Sequence, residues 1–202
     1  FRRVLFRSRV VAVPQDGVAP KKYVTGLLEQ GFLEDALPVL QALYGMLDDA
    51  EIAYNYGSCL SELGRITESV VPLERCLELK PDFTNARVSL GIAYTRLGRQ
   101  ADAERMLRQA IVQDPKSTWA RRNLAQVLVT SGKIEDSLPF FRQSVSLSPG
   151  DPELHLGLAQ CLESIGGKHL DEAGKVCREI IRRFPDHPAC EAARKALIQD
   201  GK

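Results

Sequence analysis

Histidine, tryptophan and an imbalance of charge are all scarce in this 202-residue chain. There are three histidines (His155, His169, His187), all in the last quarter, and one tryptophan, Trp119. No nucleophile, base and orienting group can be assembled around them, so the sequence reads as a non-enzyme. Lys and Arg number 27 against 26 Asp and Glu, a net charge of +1, which argues against a dedicated nucleic-acid binder. No apolar run approaches the ~20 residues needed to cross a bilayer, so no membrane insertion is expected. The five cysteines (Cys59, Cys76, Cys161, Cys177, Cys190) are odd in number and lack CxxC spacing. They read as small buried hydrophobes of a reducing, cytoplasmic compartment. A zinc site needs four ligands, and His187 with Cys190 supplies two, so no metal is expected. Gly166-Gly167-Lys168 lacks the earlier glycine, the following Ser or Thr and the preceding strand of a phosphate loop, so it reads as an extended turn and no cofactor is expected.

What the chain does have is a ladder. Gly64, Gly98, Gly132 and Gly166 stand 34 residues apart. Gly57, Gly91, Ala125 and Ala159 keep the same step, as do Pro81, Pro115 and Pro149, with Pro185 following after 36. Self-similarity at one fixed period means stacked copies of a small unit, each resting on the next. Such arrays work through an extended surface, so the chain is expected to bind rather than to transform.

Within one unit the apolar spacing is helical. Ala53, Tyr56, Gly57 and Leu60 share one face, Gly64 ends that helix, and Val70, Leu73, Cys76 and Leu77 share a face of a second. Lys80-Pro81-Asp82 closes the unit. The pattern predicts antiparallel helix pairs over 17–49, 50–83, 84–117, 118–151 and 152–185. A capping helix and tail follow over 186–202, the helix at Ala189–Ile198. Small residues at Gly57 and Gly91 let paired helices approach, with Leu73, Leu107 and Phe141 behind them. Pro38, Pro72 and Pro139 fall near the first turns of second helices and read as tolerated bends.

Residues 1–16 are expected to be non-native or disordered. Phe1–Ser8 reads like a translated sequencing adapter, an assembly scar outside the fold, in which case the native start is missing.

Ala53-Tyr54-Asn55-Tyr56-Gly57, Ser89-Leu90-Gly91-Ile92-Ala93-Tyr94 and Asn123-Leu124-Ala125 resemble the first-helix signature of tetratricopeptide repeats. Ala103, Ala110 and Pro115 match the second-helix and closing positions. The resemblance implies an all-α, right-handed solenoid of antiparallel helix pairs whose first helices line a concave groove. It also implies ligand contact at the second, fifth, sixth, ninth, twelfth and thirteenth positions of each unit. Carried onto this chain, those positions give Tyr54, Asn55 and Ser58, then Asn85, Ser89, Thr95 and Arg96, then Trp119, Arg122, Asn123 and Gln126. The site set is therefore Tyr54, Asn55, Ser58, Asn85, Ser89, Arg96, Trp119, Arg122, Asn123 and Gln126. Asparagine offers a donor and an acceptor to a peptide backbone, Arg96 and Arg122 suit a carboxylate, and Trp119 suits an anchor.

Some members of the family clamp a C-terminal carboxylate with Lys, two Asn, Lys and Arg over three units. Reading that pattern here gives Tyr54, Ser58, Ser89, Trp119 and Asn123, or Lys21, Thr25, Asn55, Asn85 and Ser89; neither set is complete. The long asparagine ladder of the O-linked sugar transferases is likewise broken at Ser89. The expectation is a non-catalytic scaffold for a protein or peptide partner. The alternative is a targeting arm of a larger enzyme whose catalytic domain lay upstream.

Overall fold

The computed structural model describes the backbone of residues 2–6, 9–13 and 18–200, with side chains from 20 to 198. The first helix pair is α1 (Val18–Glu29) and α2 (Leu33–Tyr44), followed by α3 (Ala50–Glu62) and α4 (Ile66–Leu79). Next come α5 (Thr84–Arg96) and α6 (Gln100–Gln113), then α7 (Thr118–Thr130) and α8 (Ile134–Leu147). The last pair is α9 (Pro152–Ile165) and α10 (Leu170–Arg183), and α11 (Pro188–Asp200) ends the described chain. Ahead of the helices, β1 (Arg2–Phe6) and β2 (Arg9–Val13) pair antiparallel from Arg2↔Val13 to Phe6↔Arg9. This ribbon lies inside the segment expected to stand outside the fold; the valines of 9–13 favour an extended backbone.

The turn within each pair has one recurring construction. At Gly64 the backbone takes φ 78, a left-handed conformation that costs glycine nothing. Gly64 N–H then donates to Ser61 O at 3.2 Å and Arg65 N–H to Leu60 O at 2.9 Å, closing the helix with a pair of hydrogen bonds to its last carbonyls. The same two bonds recur at Gly31, Gly98 and Gly132. Gly166 departs from the pattern, with φ 71 and ψ −158, and leads into a single 3-10 turn at Gly167–His169. Starts are built locally too. Asp49, Ser117 and Asp151 accept backbone N–H groups at the heads of α3, α7 and α9.

Pro38, Pro72 and Pro139 lie inside α2, α4 and α8, at the sixth or seventh helical residue rather than in the first turn. Each leaves only the carbonyl four residues back without its helical donor, and that carbonyl still belongs to the first turn. The helices run on past them.

By packing, the chain divides near residue 106 into two compact units, the border falling inside α6. In the first, Leu40, Leu43, Ile52 and Cys59 join Val24 in one core, and Ala53, Cys76 and Ala86 form another. A Cβ on Gly57 would lie 2.7 Å from Leu73 Cγ, so α3 and α4 touch as closely as their backbones allow. In the second unit, Ala125, Leu138, Phe141, Leu158 and Leu162 form one core, and Ala159, Cys177, Ile180 and Ala193 another. All five cysteines are buried, and none of them forms a disulfide among the described residues.

Candidate functional site

In the first unit, the expected ligand positions of α3 and α5 are only partly open. Tyr54 is half-buried, its ring 5.0 Å from that of Phe83. Asn55 is half-buried and Asn85 exposed. Ser58 keeps its hydroxyl buried without a partner among the described residues, and Ser89 is 8% exposed. Arg96 is exposed and donates from Nη1 to the Ser61 carbonyl at 3.2 Å. Lys21, a member of one partial carboxylate clamp, donates to Asp49 Oδ2 at 2.5 Å.

In the second unit the expected residues converge. Trp119, Arg122, Asn123 and Gln126, spaced three, one and three apart, share one face of α7. They line a cavity of about 360 Å³ together with Glu153, Leu156, Gly157 and Gln160 of α9 and Phe141 of α8. The four α9 residues each stand 34 positions after a residue of the α7 set, so one face of the repeat is used twice. Because α7 and α9 begin 34 residues apart, at Thr118 and Pro152, their equivalent positions present themselves to the same space.

Sequence reasoning missed Glu153, Leu156, Gly157 and Gln160, although the second, fifth, sixth and ninth positions carried one period further name all four. Phe141 was read as core filling. It is 4% exposed and also forms part of the cavity wall.

Charge in the cavity is balanced from within. Arg122 Nη2 lies 3.7 Å from Glu153 Oε2, and Glu153 Oε1 lies 3.8 Å from His187 Nδ1. Asn123 Nδ2 donates to the Trp119 carbonyl at 2.8 Å. Trp119 itself is 41% exposed. The other histidines lie elsewhere. His155 is buried, its Nδ1 2.9 Å from the Asp151 carbonyl, and His169 sits in the 3-10 turn. Among the described residues no group of three or more His, Cys, Asp or Glu is placed to hold a metal ion. No helix among them is long and apolar enough to cross a membrane.

Family models for the tetratricopeptide repeat match residues 50–83, 84–127 and 128–197, an unbroken run through the paired helices. The chain belongs to the tetratricopeptide-repeat family. Its fold class is that of solved tetratricopeptide proteins, an all-α solenoid of helix pairs. MamA from Desulfovibrio magneticus superposes with a TM-score of 0.76 at 18% identity, covering 88% of this chain and 99% of its own. YrrB, described as a tetratricopeptide protein with an unusual peptide-binding site, gives 0.70 at 20% identity, over 90% and 93%. A thermophilic tetratricopeptide protein of Thermus thermophilus gives 0.71 at 20% identity, over 92% and 100%. No curated protein matches the sequence. Tetratricopeptide repeats serve in general as non-catalytic interaction modules, so the chain is a protein-interaction scaffold.

Proposed function

We propose that this tetratricopeptide protein is a non-catalytic adaptor that holds a peptide segment of a protein partner against the ligand positions of its first helices. The observation that carries the reading is the cavity lined by one set of repeat positions on α7 and again on α9. In the first unit Tyr54, Asn55, Ser58, Asn85, Ser89 and Arg96 are assigned to partner contact as well, with the half-buried Ser58 and the buried Ser89 acting through their surroundings more than through their hydroxyls. Asn123, Gln126 and Gln160 suit a peptide because each side-chain amide offers both a donor and an acceptor. Trp119 offers a large, partly exposed ring of the kind that anchors interfaces.

The test is affinity capture with the wild type and the Arg122→Ala/Asn123→Ala variant side by side. The variant is expected to lose the partner while keeping the wild-type melting midpoint. A verified partner retained equally by both proteins would count decisively against the proposal.

A further inference from the structure

We infer that the pocket between α7 and α9 takes one large apolar side chain from the interior of an extended peptide, and not a terminal carboxylate. The inference rests on the peptide-binding reading and narrows it to a chemistry.

The floor of the pocket comes from a change along the repeat. At the sixth position the chain has Asn55, Ser89 and Asn123, and then Gly157. A Cβ at 157 would meet Phe141 Cε1 at 2.7 Å, so the ring lies directly on the backbone of α9. At the fifth position Arg122 on α7 gives way to Leu156 on α9. The α9 side of the pocket therefore has an apolar centre, Leu156 and bare backbone over an aromatic edge, set between Glu153 and Gln160, with Trp119 contributed by α7. That centre favours an apolar side chain, while the polar residues around it are left to face the peptide backbone.

The rim excludes a carboxylate by the same reasoning. The guanidinium of Arg122 already faces a carboxylate of the pocket's own lining, Glu153, at 3.7 Å. An entering carboxylate would meet Glu153 before it gained an unanswered positive charge. The side chains of Gln126 and Gln160 are exposed on the pocket lining. They flank the apolar floor and match the N–H and C=O of a peptide backbone passing over it. At about 360 Å³ the cavity is at the small end for ligand sites, with room for a large side chain together with the backbone on either side of it.

Trp119 is the sole tryptophan and lines the pocket, so its emission reports on occupancy. A phage library of tryptophan-free random dodecapeptides is selected on the full chain, and the selected peptides are synthesised with blocked and with free C-termini. Selected peptides are expected to share Phe, Leu or Met at an internal position and to shift Trp119 emission. Alanine at that position should weaken binding roughly tenfold or more. Both terminal forms should bind alike.

Gly157→Asn alone would collide with Phe141, so the paired variant Gly157→Asn/Phe141→Leu removes the obstructing ring atom. It should fold and lose the apolar preference. Peptides that shift Trp119 emission yet tolerate alanine at every apolar position, or need a free carboxylate, overturn this inference and leave the peptide-binding reading standing. Binders that leave Trp119 emission unchanged overturn this inference alone, and a library that yields no binder overturns both.

Discussion

Gly57 lies so close to Leu73 that a Cβ added there would come within 2.7 Å of Leu73 Cγ and 3.1 Å of the Ser69 carbonyl. Helix propensity alone favours alanine over glycine in mid-helix by about 1 kcal/mol. The contact opposes it, because overpacking a tight core costs about 1–3 kcal/mol and one neighbour is backbone. Gly57→Val, with a branched and larger side chain, is expected to lower stability by about 2 kcal/mol in urea denaturation. Adding Leu73→Ala should recover part of that loss, since the two sites share one contact. Strictly additive losses would show that the pair does not set the helix spacing.

Most of the helical architecture was legible because it depends on local chemistry repeated at one interval. A glycine able to take φ 73–78 recurs at positions 64, 98 and 132, and each ends a helix in the same way. The pocket was only half legible. Arg122 looked like a free cation for a ligand carboxylate, because its partner Glu153 is a residue of the next repeat and no spacing rule measures 3.7 Å. Gly157 is silent in a sequence until its neighbour Phe141 is known. At Ser89 register and packing part company: the register marks it as a ligand position, and packing leaves it 8% exposed.

Asp49 offers a pH test of the first unit. Burial acts to raise its pKa, but the bond from Lys21 and the N–H groups of Ile52 and Glu51 outweigh it, and the value falls below the ordinary one. A depressed carboxylate contributes stability that is present above its unfolded pKa, about 4, and lost as pH falls through the folded value. Asp49→Ala should cost ~1 kcal/mol at pH 7, mainly as a lost helix cap. The gap between wild type and variant should shrink on going from pH 6 to pH 3. Asp49→Asn, which keeps the cap but not the charge, should cost less. A gap that does not change with pH would mean that the charge of Asp49 adds nothing.

Burial pushes the Cys59 and Cys76 thiols up to about 11. Burial and the bond from its hydroxyl to Glu74 push Tyr94 up to about 12. Raised acids favour the folded state fully below their unfolded pKa, and the contribution disappears as pH climbs through the folded value. For the two thiols that window runs from about 9 to about 11, with Tyr94 extending it upward. Urea midpoints should therefore decline above pH 9. Native Cys59 and Cys76 should react with iodoacetamide at pH 8 far more slowly than in urea, because the thiolate is the nucleophile and both sulfurs are covered. Equal labelling rates in the two conditions would contradict the buried placement.

The last turn separates backbone strain from simple space. Gly166 has φ 71, whereas Gly150 has no positive φ and nothing within 4 Å of an added Cβ. Gly166→Ala should cost about 1–2 kcal/mol, since a side chain resists that conformation. Gly150→Ala should be neutral or slightly stabilising by restricting the unfolded chain. Equal effects of the two substitutions would remove strain as the reason for glycine at 166.

The capture experiment depends on a variant that leaves the fold alone, and the pocket geometry supplies one. Arg122 and Glu153 are 3.7 Å apart, with side chains 45% and 41% exposed, so their attraction is worth ~0.5 kcal/mol after solvent screening. The Asn123 bond to the Trp119 carbonyl is solvent-exposed, and that carbonyl stays within a continuous helix. Arg122→Ala/Asn123→Ala should thus shift stability by less than about 1 kcal/mol. Arg122→Glu would instead set two carboxylates against each other and blur the comparison. A thermal melt of the alanine variant that matches the wild type, together with lost partner binding, would place the effect at the pocket surface. A large drop in midpoint would instead mean that these two residues hold α7 against α9.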